Sequence, residues 1–192
     1  MTLVEIAMIG VGLSMDALAV SVASGIAAGH VRRSDALKVG AYFGGFQAVM
    51  PLAGWLFAKA LLNRFAFVNV AAPWIASGVL WLIAAKMLWE AFRHEPNPDE
   101  IKNPFSHKTL LLMAIATSID ALAVGIGFGV QHVHIAFAAT IIGLTTFAIS
   151  FAGIYAGRRF GALIESRAEL GGAILLILAG AKMIFDHLAK VS

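Results

Sequence analysis

The 192-residue chain contains no cysteine. That excludes a disulfide framework and any thiolate metal site. Charge is scarce as well: Asp, Glu, Lys and Arg make up 13 % of the sequence, against roughly 25 % in a soluble domain. A soluble protein of this size could not cover its surface with so little charge. Lys and Arg do not cluster among aromatics, so the formal net charge of +3 does not describe a nucleic-acid face. There are five prolines and no low-complexity tract, which argues against disorder. No G-x-x-x-x-G-K-[ST] phosphate loop is present, which argues against direct use of ATP. The first residues, Met1 to Glu5, lack the positive start of a cleavable signal peptide. The apolar stretch behind them is therefore expected to remain as a membrane helix.

What the chain does have is hydrophobic sequence, 60 % of its residues. A spanning helix needs about 20 mostly apolar residues. Candidate spans run from about Leu3 to Ala28, between Lys38 and Lys59, between Arg64 and Lys86, from about Thr109 to Val130, between His134 and Arg158, and from about Leu170 to Leu188. Lys182 and Asp186 interrupt the last, so a re-entrant or interfacial segment is its alternative. The polar stretch from Arg93 to Lys108, with Pro96, Pro98 and Pro104, reads as an extramembrane linker. The expected fold is an all-α membrane protein with six transmembrane helices. A first three-helix repeat occupies 1–95, a polar linker 96–107 and a second repeat 108–192.

Two patterns orient this chain. One set of loops holds Arg32, Arg33, Lys38, Arg93, Lys102, Lys108, Arg158, Arg159 and Arg167, and the other holds Lys59, Arg64 and Lys190. The positive-inside rule puts the first set in the cytoplasm and both termini outside. The second pattern is a repeat. Ser14-Met15-Asp16-Ala17-Leu18-Ala19-Val20 recurs 104 residues later as Ser118-Ile119-Asp120-Ala121-Leu122-Ala123-Val124. Ala85-Lys86-Met87 with Glu90 matches Ala181-Lys182-Met183 with Asp186, and Gln47 and Gly54 align more loosely with Thr146 and Gly153. Three helices per half is an odd number, so the second half enters the membrane upside down. Secondary transporters use such inverted repeats and bind substrate at the midplane between them.

Asp16 and Asp120 are the leading site candidates. Each falls near the middle of its span, where a charge costs about 3 kcal/mol on insertion scales. Lys86 and Lys182 sit toward the ends of helices three and six and read as poor partners. Two ionised carboxylates side by side repel unless a cation lies between them or one holds a proton. Gln47 comes next. Pro51, four residues on, has no N–H to give to the Gln47 carbonyl. An amide oxygen and a freed carbonyl thus meet at one depth. Oxygen donors of this kind suit hard divalent cations. The bland reading is a proline kink with Gln47 bonded to a neighbouring helix. Thr146 holds the matching place in helix five as a further candidate ligand, although membrane Thr commonly bonds back to its own helix. Ser14 and Ser118 read as packing against a neighbouring helix. Met15, Met50 and Met113 read as filling rather than as thioether ligands. His132 and His134 are weak candidates for an exit station. The pairs Lys86–Glu90 and Lys182–Asp186, spaced i, i+4, read as interface anchors or as a gate contact. Small residues four apart, such as Gly40 and Gly44 or Gly153 and Gly157, predict close helix approach.

These residues resemble a known family. The Ser-Met-Asp-Ala-Leu-Ala-Val start, the segment Phe43-Gly44-Gly45-Phe46-Gln47-Ala48-Val49-Met50-Pro51-Leu52-Ala53-Gly54 and the segment Ala116 to Gly125 are similar to the manganese efflux pump family of MntP type, within the LysE-like exporters. The likeness covers essentially the whole chain. It implies a multi-pass protein of the bacterial inner membrane that exports Mn²⁺ and is not an enzyme. The position of Gln47 is acidic in some members and neutral here.

The combined reading is a secondary exporter of a divalent cation, most simply Mn²⁺, as transported substrate rather than resident cofactor. Asp16, Asp120, Gln47 and Thr146 would bind it. Proton uptake by the aspartates after ion release would allow proton antiport. Two other readings stay open: an exporter of amino acids or other small organic solutes, which needs a basic or amide group for a carboxylate, and an intramembrane aspartyl protease using the two aspartates as a dyad. The expected partners are the divalent cation and the lipid bilayer, without nucleic acid. The sequence sets no oligomeric state.

Overall fold

The computed structural model describes residues 2–28, 30–62, 74, 78, 81–85, 88–89, 103–130, 133–160, 174, 177–178 and 181. Five helices with defined bounds lie there: α1 Leu3–Ala28, α2 Arg33–Leu62, α3 His107–Thr117, α4 Ile119–Val130 and α5 Ile135–Phe160. Residues 81–85 and 88–89 are helical too, and no strand occurs among the described residues. The expected third and sixth spans fall mostly outside the described residues, as does the linker up to Lys102.

Local chemistry sets the helix starts. At α1, the Glu5 N–H donates to Thr2 Oγ1 at 3.3 Å and the Thr2 N–H donates to Glu5 Oε2 at 3.0 Å. This reciprocal capping box satisfies two otherwise orphaned donors. At α2, the Arg32 N–H donates to Asp35 Oδ2 at 3.1 Å. At α3, Ser106 Oγ accepts the Thr109 N–H at 3.1 Å. The turn before α3 passes through Asn103 at φ 56°, a left-handed conformation that Asn tolerates better than most residues.

Leu3–Ala28 and Ile135–Arg159 are each long and apolar enough to cross a membrane, and α3 with α4 passes as a pair bent by 41°. α2 has the length, at 30 residues, but not the apolarity. Gly40, Gly44, Gly45, Gln47, Pro51 and Gly54 dilute it, and neighbouring helices cover those residues in part. Large apolar side chains on the outside are exposed, including Val49, Leu56 and Phe57 on α2, Leu112 and Ile119 on α3 and α4, and Phe137 and Leu144 on α5. In water such a surface would drive aggregation; in a bilayer it meets acyl chains. The chain is a multi-pass membrane protein.

The packing of the helices is specific. α1 lies along α5, and α2 lies against both α5 and α4. α1 and α5 run the same way, since Gly10 faces Ile142 and Gly25 faces Ile154. α2 and α4 also run the same way, with Pro51 at Gly125 and Ala58 at Gly129. α2 and α5 run oppositely, with Gly40 at Phe147 and Ala48 at Gly143. The first helix of each sequence repeat, α1 and α4, therefore points in opposite directions.

The contacts recur at the spacings of the sequence repeat. A side chain added at Gly25 would strike the Ile154 carbonyl, and one added at Gly129 would meet Trp55 and Ala58. Gly54 abuts Leu122, and Gly153 abuts Leu18. Gly44 and Gly143 pack on each other. At Gly25, Gly44, Gly54 and Gly143 the neighbouring backbone approaches too closely for a Cβ, as the four-residue spacing of small residues predicts.

Candidate functional site

The centre of the site is the side chain of Gln47, fully buried on α2. Its Nε2 donates to the Leu13 carbonyl of α1 at 3.2 Å and to the Thr117 carbonyl of α3 at 3.1 Å. Carbonyls only accept, so the NH₂ group must face them. Leu13 and Thr117 lie three residues before Asp16 and Asp120, and so occupy equivalent places in the two repeats. One amide thus ties the two aspartate-bearing segments together at matched points.

The aspartates flank this bridge. Asp16 is half-buried on α1, and Asp120 is 8 % exposed in the first turn of α4. Positions i and i+3 share a helix face, and helical side chains lean toward the N-terminus. Asp16 therefore leans back along α1 toward the turn of Leu13, whereas Thr117 and Asp120 are separated by a 41° bend. Among the described residues no three of His, Asp and Glu gather into one group. Among the described residues, the further ligands open to a cation here are neutral oxygens.

Such oxygens are present. Gln47 Oε1 is buried without a hydrogen-bond partner, and so is Thr146 Oγ1 on α5. Thr146 is fully buried and, at a spacing of 99 residues, is the counterpart of Gln47. The expectation that a membrane Thr bonds to its own helix holds for Thr117, which donates to the Met113 carbonyl at 3.0 Å, and for Thr140, which donates to Ala136 at 2.8 Å. It fails for Thr146. Buried hydroxyls without a partner are rare enough to need a reason. Pro51 sits inside α2, so the Gln47 carbonyl lacks its usual donor.

Other candidates resolve differently. Ser14 and Ser118 do not reach across to neighbours: their hydroxyls donate to Val11 at 2.7 Å and Ala114 at 2.6 Å on their own helices. Short hydroxyl side chains compete with the backbone in this way. Met15 and Met50 pack against one hydrophobic cluster and Met113 against another, as filling. His134 is exposed just before α5. His132, Lys86, Glu90, Lys182 and Asp186 lie outside the described residues. The bland reading of Gln47, bonded to a neighbouring helix beside a proline kink, holds for its NH₂ group; what the sequence reading missed is which backbone carbonyls it takes, and the buried, partnerless hydroxyls of Ser24 and Ser150. Backbone acceptors leave no mark in side-chain patterns. Ser150 did leave one, since it stands at the place of Pro51 in the second repeat.

Comparison with known proteins identifies a family. Residues 30–184 match the family described as "Putative manganese efflux pump". A protein of Crocosphaera subtropica is 42 % identical over 190 residues, covering 99 % of each chain. One from Acetivibrio thermocellus is 42 % identical over all of this chain and 95 % of its own. One from Methanosarcina mazei is 44 % identical over 94 % of this chain and 95 % of its own. All three are named "Putative manganese efflux pump MntP". No solved structure matches the chain. With likeness of this extent over nearly its whole length, the chain belongs to the MntP-type manganese efflux pump family.

Proposed function

We propose that the protein is a secondary exporter of divalent metal cations that moves Mn²⁺ out of the cytoplasm. The observation that carries this reading is the Gln47 bridge, which joins equivalent carbonyls beside Asp16 and Asp120 and leaves its own oxygen buried and partnerless. In the proposed site the carboxylates of Asp16 and Asp120 balance the double charge, and Gln47 Oε1 and Thr146 Oγ1 complete an oxygen shell. Hard oxygen donors suit Mn²⁺. The relatives' names, which speak of manganese efflux, support the choice of ion.

The reading includes six spans in two inverted three-helix units, 1–95 and 108–192, joined by the linker at 96–107. It places the basic loops in the cytoplasm, both termini outside, and the protein in the bacterial inner membrane. The opposite directions of α1 and α4 support that arrangement. One unit rocking against the other would expose the ion to each side in turn. Gln47 lies where α1, α2 and α3 meet, so rocking must loosen its bonds. Proton uptake by the aspartates on ion release would couple export to a pH gradient. The organic-solute reading relied on the Gln47 amide to hold a carboxylate, but both its N–H groups already point to backbone carbonyls.

The test is Mn²⁺ flux in proteoliposomes, with and without a pH gradient. Wild-type protein is expected to move Mn²⁺ faster with the gradient. Asp16→Asn and Asp120→Asn are each expected to lower the rate at least about tenfold, the equivalent of roughly 1.4 kcal/mol of transition-state stabilisation. Transport by Asp16→Asn at the wild-type rate would end the carboxylate reading.

A further inference from the structure

We infer that Ser150 is a further oxygen ligand for the transported ion, acting together with Thr146 on α5; this rests on the divalent-cation reading above. Ser150 is fully buried and its hydroxyl has no hydrogen-bond partner. It shares that state with Ser24 and Thr146. Ser14, Ser21, Thr117, Ser118 and Thr140 all give their hydroxyl protons to carbonyls of their own helices, at 2.6 to 3.0 Å. Ser150 follows Thr146 by four residues, about 6 Å along one helix face, and both hydroxyls are left unspent.

Their direction follows from the packing. Ile142 and Gly153 of α5 meet α1, whereas Gly143 and Phe147 meet α2. At about 100° per residue, Thr146 and Ser150 fall roughly 40° and 80° around from Ile142, and Gly143 about 100°. Both hydroxyls therefore sit in the seam where α5 meets α1 and α2, the two helices joined by Gln47 and Leu13. Ser24, another buried partnerless hydroxyl, is 11 residues beyond Leu13 on α1. That is about 16 Å along the helix, beyond the reach of the same ion.

The repeat marks a difference between the two helices. At the 99-residue spacing Gln47 answers to Thr146 and Pro51 to Ser150. Pro51 has no side-chain oxygen, and the Gln47 carbonyl it frees points along α2 toward Pro51, away from the α5 hydroxyls, because α2 and α5 run oppositely. Ser150 does carry an oxygen at that place, so Thr146 and Ser150 are the two α5 hydroxyls available to stand beside the carboxylates and Gln47 Oε1.

The test uses full-length protein in proteoliposomes carrying Ser150→Ala, Ser150→Thr or Ser150→Cys, with Mn²⁺ and Cd²⁺ as probes and Tm in detergent as a control. Ser150→Ala is expected to raise the KM for Mn²⁺ about three- to tenfold at an unchanged Tm, because no hydrogen bond is lost. Ser150→Thr keeps the oxygen and is expected to stay near the wild-type KM. Ser150→Cys puts a soft sulfur on the ion and is expected to shift the Cd²⁺-to-Mn²⁺ preference at least tenfold toward Cd²⁺. A merely structural serine would not move that ratio. Normal Mn²⁺ transport by wild type, with KM and ion preference unaltered in the Ala and Cys variants, would overturn the role of Ser150 alone. A KM rise that comes with a fall in Tm and no shift toward Cd²⁺ in the Cys variant would mark a packing role and overturn it as well. If wild-type protein moves no Mn²⁺, the exporter reading fails first and takes this inference with it.

Discussion

The same seven-residue motif is built in two ways in this molecule. Around Asp16 it lies inside one unbroken helix of 26 residues. Around Asp120 the helix stops at Thr117, bends by 41° and restarts at Ile119. The motifs themselves differ at one position, Met15 against Ile119, so the shared motif residues alone do not account for a break in only one copy. The residue just before it does differ in kind: Leu13 in the first copy, Thr117 in the second, each preceding the Ser. Thr117 turns its hydroxyl onto the Met113 and Ala114 carbonyls at 3.0 and 3.3 Å, and Ser118 turns its own onto Ala114 at 2.6 Å. Two adjacent side chains thus compete for carbonyls of the same helical turn, a recognised cause of bending. Two halves can share a sequence motif and still differ in stiffness, and only the Asp120 copy has a joint.

The largest expected effect falls on the residue that spans both halves. Gln47→Leu removes the donors to Leu13 and Thr117 and the oxygen facing the site. Loss of two hydrogen bonds costs on the order of 1 to 2 kcal/mol of stability in a membrane setting. Mn²⁺ flux is expected to fall by more than about tenfold, because both aspartate-bearing segments lose their common tether. Thr146→Val deletes only a hydroxyl that bonds to nothing. It is expected to raise KM several-fold with no loss of Tm. Equal damage from the two substitutions in paired flux and melting measurements would show that α2 and α5 contribute alike, and the asymmetry argued here would go.

A second contrast lies in the glycines at matched places on α2 and α5. A Cβ at Gly54 would run into the Leu122 carbonyl and come within 2.9 Å of the Ile126 nitrogen. Backbone cannot step aside. A Cβ at Gly153 would meet the Leu18 Cδ1 at 2.6 Å and the Ser21 Cβ at 3.2 Å. The end of a leucine can turn away. Gly54→Ala is therefore expected to cost about 1 to 3 kcal/mol by overpacking, and Gly153→Ala less than about 1 kcal/mol. Thermal melting in detergent measures both. A Gly153→Ala variant as unstable as Gly54→Ala would show that Leu18 is pinned.

Much of this was legible in the residues. Asp16 and Asp120 stood out because charge in a long apolar run is costly, and the helix bounds at Ala28 and Val130 follow the end of apolar sequence. Gln47 stood out through Pro51, and its bonding to a neighbouring helix was one of its two readings, but the particular acceptors were not foreseen. Leu13 and Thr117 take part through backbone carbonyls, which every residue has, so no side-chain pattern points to them. Ser14 and Ser118 are fully buried, in keeping with their reading as packing residues, and their hydroxyls bond locally because a hydroxyl one turn from a helical carbonyl needs no partner elsewhere. The bend at Ser118 was also missed, because the apolar run from Thr109 to Val130 passes through it without interruption. Hydropathy measures transfer into lipid and is blind to a serine and a threonine that pull on the same turn.

That blindness suggests the smallest and most discriminating change. Thr117→Leu copies the first half into the second, leaving the apolar run and the aspartate untouched. It removes one of the two competing hydroxyls while keeping the backbone carbonyl that Gln47 holds. Amides from Ser118 to Ala121 are then expected to exchange more slowly as the helix closes, by roughly threefold for a bond of about 0.6 kcal/mol. The reverse change, Leu13→Thr, is expected to speed exchange around Ser14 to Ala17 by a similar factor. Transport should fall only modestly in Thr117→Leu, since the ligands stay and only the ease of bending beside Asp120 changes. Hydrogen exchange that is blind to both substitutions would place the cause of the joint in Ser118 alone, or in the helices packed around it, rather than in the residue before the motif.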